Sequence, residues 1–201
     1  YADGSGENAE STLREIRRLE AEWEESAEDL PGRRQGPLLG TEAVSLDGAQ
    51  TLLADDAALL EYLFGGKYGF LLVVTRRGAR VVALPSMDDL AEKILLFRGL
   101  LEARGPDPDL DERAIRALGE DIYTTLVGPA DPLLKDDIRR LIICPDDLLD
   151  ILPFEALVIP GDARKPPRYL VSRFETTQAP SMTVLRRLRA APIPGATERT
   201  L

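Results

Sequence analysis

The spacing of apolar residues changes from helical to strand-like about one quarter of the way along the chain. Between Ala9 and Leu30 apolar residues recur every three or four positions and form a stripe roughly 120° wide. This spacing predicts an amphipathic, glutamate-rich helix that ends at Pro31-Gly32. We therefore assign residues 1–40 to an acidic helix and linker and residues 41–201 to a separate domain. The apolar stripe, whose largest member is Trp23, packs either on its own domain or on an upstream helical repeat array.

The next segments predict hairpins followed by alternating helices and strands. Ala58–Phe64, Tyr68–Thr75 and Ala79–Leu84 are apolar runs separated by short glycine-containing turns, which is typical of an antiparallel meander. A helix is predicted to about Ala103 after Ser86, a candidate N-cap with Asp89 three residues on. Further helices are predicted from about Asp111 to Val127 and over 182–190. Further strands are predicted at 139–144, 169–171 and 175–178. Because strands alternate with helices, we expect an α/β sheet flanked by helices.

The charge and composition limit the classes of partner. The net charge is −10, which disfavours nucleic acid as the main partner, since phosphate binding needs a basic surface. No apolar run reaches the ~18 residues of a membrane span, and no export signal is visible at the N-terminus. The single cysteine fits a reducing compartment. We therefore expect a cytoplasmic protein that binds neither nucleic acid nor membrane.

The absence of histidine limits the chemistry of the chain. With no histidine, neither Ser-His-Asp nor Cys-His catalysis can be completed within it. One thiol without imidazole also makes a zinc site improbable. Cys144 lies within an apolar strand, where burial raises a thiol pKa, so we expect it to be an inert core residue. We predict no catalytic residue, no metal and no cofactor in this chain, which alone should be inactive.

Paired aspartates recur four times, and such carboxylate pairs are potential magnesium ligands. They lie at Asp55-Asp56, Asp88-Asp89, Asp136-Asp137 and Asp146-Asp147. Most of them fall at predicted helix starts, where acidic residues cap free N–H groups. We interpret the first three pairs as capping or solvated residues.

Three segments carry a family resemblance. They are Leu59–Tyr62 with the strands up to Pro85, Arg140–Asp146 continuing into Leu152-Pro153-Phe154-Glu155-Ala156-Leu157, and Ala179-Pro180-Ser181 before Val184-Leu185. In order and spacing, over about Leu52 to Ala190, they resemble the CHAT family. These are caspase-like cysteine peptidases related to separases and often found after tetratricopeptide repeats. The resemblance implies a caspase-like sheet flanked by helices, with residues 41–201 as the N-terminal, incomplete part of the domain.

The resemblance also implies where catalysis would arise. The family's catalytic histidine and cysteine lie on later strands, and this sequence contains neither motif. We therefore expect the N-terminal portion of a caspase-like endopeptidase. Its partners would be the C-terminal segment of the same protease domain, a protein or peptide substrate, and an upstream repeat array. The alternatives are a non-catalytic pseudoprotease or scaffold, and a free-standing structural domain.

The fourth aspartate pair is the candidate substrate-binding site. Asp146 and Asp147 directly follow the strand that ends at Cys144, and open α/β sheets bind ligands outside the carboxyl ends of their strands. Two carboxylates there would favour a basic side chain at the cleavage position, which separases also prefer. The simpler interpretation is a turn with solvated acids.

Overall fold

The computed structural model describes residues 44–65, 67–102 and 108–190. The described residues all belong to one compact unit. The predicted helix at 9–30, with Trp23, lies outside these ranges.

In the part of the chain that the structure describes, seven strands form one five-stranded sheet and one small ribbon. The strands are β1 (Ala57–Gly65), β2 (Tyr68–Thr75), β3 (Gly78–Leu84), β4 (Arg140–Cys144), β5 (Val158–Ile159), β6 (Arg168–Tyr169) and β7 (Glu175–Gln178). The sheet has the order β3-β2-β1-β4-β7, and β5 pairs with β6 in the ribbon. β2 is antiparallel to β1 and β3, whereas β4 is parallel to β1 and β7. The predicted α/β class, with an antiparallel hairpin region at one side of a caspase-like sheet, is confirmed.

Within the described ranges, four α-helices accompany the strands. They are α1 (Leu46–Leu52), α2 (Met87–Glu102), α3 (Pro108–Leu126) and α4 (Met182–Ala190). The sequence did not lead us to expect α1, which is short and begins where the Ser45 hydroxyl accepts a hydrogen bond from the Gly48 N–H at 3.2 Å. α3 begins earlier than predicted, at Pro108, because proline suits the first turn of a helix. Within the described residues, no helix combines the length and apolar composition needed to cross a membrane.

Short 3-10 turns connect several of these elements. They span Gly128–Ala130, Asp147–Ile151, Phe154–Ala156 and Leu170–Ser172. The prediction of a strand at 169–171 was wrong beyond Tyr169. The chain bends there because the Leu170 carbonyl accepts hydrogen bonds from the N–H groups of Arg173 and Phe174, both at 3.0 Å. This bend directs the chain out of the ribbon and into β7.

The sheet is covered by apolar side chains on both faces. Alternate residues of β1, such as Leu60 and Tyr62, face α2 and α3, where Ile94 and Phe97 are fully buried. The other residues, such as Leu59, face α1 and α4 across a smaller cluster. Burying one such large side chain contributes about 1.5–3 kcal/mol. Because successive side chains of β1 point to opposite faces of the sheet, apolar residues of one strand pack against helices on both faces.

Candidate functional site

The carboxyl ends of the three parallel strands lie at the same edge of the sheet. β1, β4 and β7 run in one direction, so the residues that follow them are neighbours. We call this edge the rim and define it by Phe64, Asp146, Asp147 and Ser181. Because ligands of open α/β sheets bind outside such edges, the rim is the candidate functional site.

Asp146 links the ends of β1 and β4. The pairing of these strands ends at Glu61 and Cys144, and the next residue, Pro145, has no N–H to continue it. One carboxylate oxygen of Asp146, Oδ2, instead accepts a hydrogen bond from the Phe64 N–H at 2.7 Å. Oδ1 accepts a second hydrogen bond from the N–H of the next residue at 3.0 Å. The Asp146 carboxylate thus replaces a backbone acceptor at the point where the strand ladder stops.

Asp147 has a different environment. It begins the 3-10 turn Asp147–Ile151 in a left-handed conformation, with φ of 52°. Aspartate and asparagine adopt this region more readily than most residues, although it costs roughly 1–2 kcal/mol. The Asp147 side chain is exposed, and among the described residues it accepts no hydrogen bond. The structure therefore places both predicted substrate-binding residues at the rim, with Asp147 exposed and Asp146 half-buried; their binding role stays a prediction.

Glu61 is a rim-facing residue that the sequence analysis missed. It lies opposite Cys144 in the β1–β4 pairing, and its Oε1 accepts a hydrogen bond from the Met182 N–H at 3.4 Å. Met182 is the first residue of α4, where free N–H groups favour a negative charge. A single charged residue inside the apolar run of β1 was the signal that could have identified it.

Cys144 is a buried core residue, as predicted. Its side chain is 1% exposed and packs in the cluster beneath α1 and α4. Burial, with a smaller contribution from the nearby Glu61 carboxylate, raises the pKa of the Cys144 thiol to about 12. Because the thiolate is the reactive form, Cys144 is not a nucleophile at neutral pH.

The other aspartate pairs have structural roles. Asp89 belongs to the cap of α2: the Ser86 hydroxyl accepts a hydrogen bond from the Asp89 N–H at 3.3 Å and donates one to the Asp89 carboxylate at 2.6 Å. Asp56 instead binds Arg140, whose Nε lies 3.2 Å from Oδ2, and this contact lowers the pKa of the Asp56 carboxyl. Asp137 pairs with an arginine in the β2–β3 turn at 3.2 Å. In the described ranges, no group of three or more aspartate, glutamate or cysteine side chains is arranged to hold a metal ion.

Comparison with known families identifies the region that contains the rim. The sequence model of the CHAT domain matches residues 116–200. This match confirms the resemblance to the CHAT family. No curated protein matches the chain. The CHAT match includes β4, Asp146 and Asp147, the ribbon, β7 and α4, and thus most of the candidate site.

The segment matched by the CHAT model also contains the Leu-Pro-Phe-Glu-Ala-Leu motif at residues 152–157. Phe154 is fully buried and packs against the ring of Tyr62, with ring centroids 5.7 Å apart. The next residue, Glu155, contacts β7 instead: its Oε1 accepts a hydrogen bond from the Thr176 hydroxyl at 2.9 Å. The motif therefore connects the apolar core that packs against β1 to the outer strand β7.

Proposed function

We propose that this chain is the N-terminal portion of a caspase-like cysteine endopeptidase. The main support for the proposal is the CHAT match over residues 116–200, since CHAT domains belong to a caspase-like peptidase family. The catalytic cysteine and histidine are supplied by a later segment of the same protease domain. The chain itself contains no histidine, and its one thiol is buried with a raised pKa.

The chemistry of a cysteine peptidase explains why a second segment is needed. The reaction requires a thiolate nucleophile and a base within hydrogen-bond reach of it. Cys144 is buried on the sheet face covered by α1 and α4 and has no imidazole near it. The described chain therefore contributes the sheet and the rim, and the later segment contributes the reacting groups.

The outer strand β7 is the proposed contact surface for the later segment. β7 pairs with β4 on one side, and within the described residues no strand pairs with its other side. An outer strand offers free N–H and C=O groups to a further strand. A segment that adds a strand beside β7 would continue the sheet and bring its own residues next to the rim.

The proposed substrate is a protein or peptide with a basic side chain at the cleavage position. The exposed carboxylate of Asp147, next to that of Asp146, supplies negative charge at the rim, and opposite charges favour binding of arginine or lysine. We further propose that the enzyme is cytoplasmic and follows an upstream helical repeat array.

Reconstitution tests the proposed function. The chain is co-expressed with the downstream segment that contains the histidine and cysteine, and cleavage of a fluorogenic arginine peptide is measured. We expect cleavage only when both parts are present, and none when the downstream cysteine is replaced by alanine. Cleavage by the isolated chain would contradict the proposal. Stable association of the two parts without cleavage of any peptide in a library would favour the pseudoprotease or scaffold.

A further inference from the structure

We propose that Asp146 is a positioning residue of the rim rather than a direct substrate ligand. Its carboxylate fixes the end of β1 against the turn after β4 and holds Asp147 in the orientation that exposes its side chain. The bonds themselves are independent of any reaction, whereas the consequence for substrate binding rests on the proposed function.

The first observation is that both oxygens of Asp146 are already bound within the protein. Oδ2 accepts from the Phe64 N–H at 2.7 Å and Oδ1 from the Asp147 N–H at 3.0 Å. Hydrogen bonds to an ionised acceptor are about twice as strong as those between neutral groups. These two backbone donors already satisfy part of the carboxylate's capacity and fix its orientation, and Asp146 is half-buried whereas Asp147 is exposed, so Asp147 is the better placed of the two as the primary ligand.

The second observation is that the β1–β4 ladder ends before Phe64, so the Asp146 side chain supplies the acceptor there. The last pair of the β1–β4 ladder is Glu61 with Cys144, so no residue of β4 is paired with Phe64. The hydrogen bond from Phe64 is partly buried and joins residues 82 positions apart in the chain. Its loss would leave a partly buried donor without a partner and would let the two strand ends separate.

The third observation is that Asp146 acts on the conformation of its neighbour. Asp147 has a φ of 52°, a region that persists only where the surroundings fix it. Asp146 is the N-cap residue of the turn that Asp147 begins, and its side chain bonds the Asp147 N–H. Without that bond the turn would relax, and the Asp147 carboxylate would no longer be held at the rim.

Three variants separate positioning from charge. Asp146→Ala removes both hydrogen bonds and the charge. Asp146→Asn removes the charge but keeps one acceptor oxygen, so it should retain one of the two bonds. Asp150→Ala is the matched control, because Asp150 lies in the same turn, is exposed, and accepts no hydrogen bond within the described part of the chain.

The first measurement needs no enzymatic activity. Amide hydrogen exchange of the full chain is followed at Phe64 and Asp147 for the wild type and the three variants. We expect exchange at both amides to be at least tenfold faster in Asp146→Ala. We expect protection at one of them to persist in Asp146→Asn and both to be unchanged in Asp150→Ala. Unchanged protection at both amides in Asp146→Ala would overturn the proposal.

The second measurement uses the reconstituted peptidase. For an arginine peptide, we expect Asp146→Ala to raise KM about tenfold with little change in kcat, and Asp146→Asn to recover part of this loss. Faster exchange together with an unchanged KM would also overturn the positioning role, because the rim would then move without consequence for binding. If the wild-type assembly cleaves no peptide, the proposed function fails, and the exchange experiment alone decides whether Asp146 fixes the rim.

Discussion

Cys144 should be almost unreactive in the folded protein. Its thiol pKa is about 12, so at pH 8 roughly one molecule in 10⁴ carries the thiolate, compared with about one in four for a free thiol. Ionisation alone therefore slows modification by a factor on the order of 2,000. Because the side chain is 1% exposed, the reagent is also excluded sterically.

The assay is labelling with a chromogenic aromatic disulfide, which releases one coloured thiolate for each protein thiol that reacts. The rate is measured at pH 8 for the native protein and for the protein unfolded in urea. The variant Cys144→Ala, which contains no thiol, gives the background. We expect rapid stoichiometric labelling only in urea. A native rate within tenfold of the unfolded rate would refute the assignment of Cys144 to the core.

Three further predictions concern stability. Because burial raises the Cys144 pKa in the folded state, the thiol binds its proton more tightly there than in the unfolded chain. The contribution of this thiol to the free energy of unfolding should therefore be fully present below about pH 9. In urea titrations, the free energy of unfolding should fall as the pH rises above this value, and it should fall more for the wild type than for Cys144→Ala. Ser86→Ala should cost about 1 kcal/mol through loss of the α2 cap, measured by thermal unfolding. Tyr62→Phe should cost about 1–2 kcal/mol in urea unfolding, because its hydroxyl donates to the buried Leu126 carbonyl at 3.0 Å; an unchanged midpoint would contradict this.

Much of the fold followed from the sequence where local signals were strong. The hairpins β1–β2–β3 were predicted within one or two residues, because continuous apolar strands and glycine-containing turns are local features. The α2 cap at Ser86 was also predicted, since a capping residue and its partner Asp89 are three positions apart. α1 was not predicted, because seven residues give too short a periodic signal.

The candidate site was less accessible from the sequence than the fold. Asp146 and Asp147 could be expected at the end of β4, because a strand end can be inferred from Cys144-Pro145; Phe64 and Ser181 were not expected there. That Asp146 accepts from the Phe64 N–H depends on a contact across 82 residues, which no local pattern contains. The role of Glu61 could not be predicted for the same reason, because its hydrogen-bond donor, the Met182 N–H, is 121 positions further along the chain.

The position of β1 between an antiparallel and a parallel neighbour has a consequence for the order of folding. β1, β2 and β3 are joined by short turns, so their ladder can close early at a small entropic cost. β4 can join only after the intervening helices are arranged, and this late docking brings together residues about eighty positions apart. We therefore expect substitutions in the hairpin to slow refolding, and substitutions in β4 and β7 mainly to accelerate unfolding. The side of the sheet formed by β4 and β7, which contributes Asp146 and Asp147 to the rim, would be the last to form and the first to open.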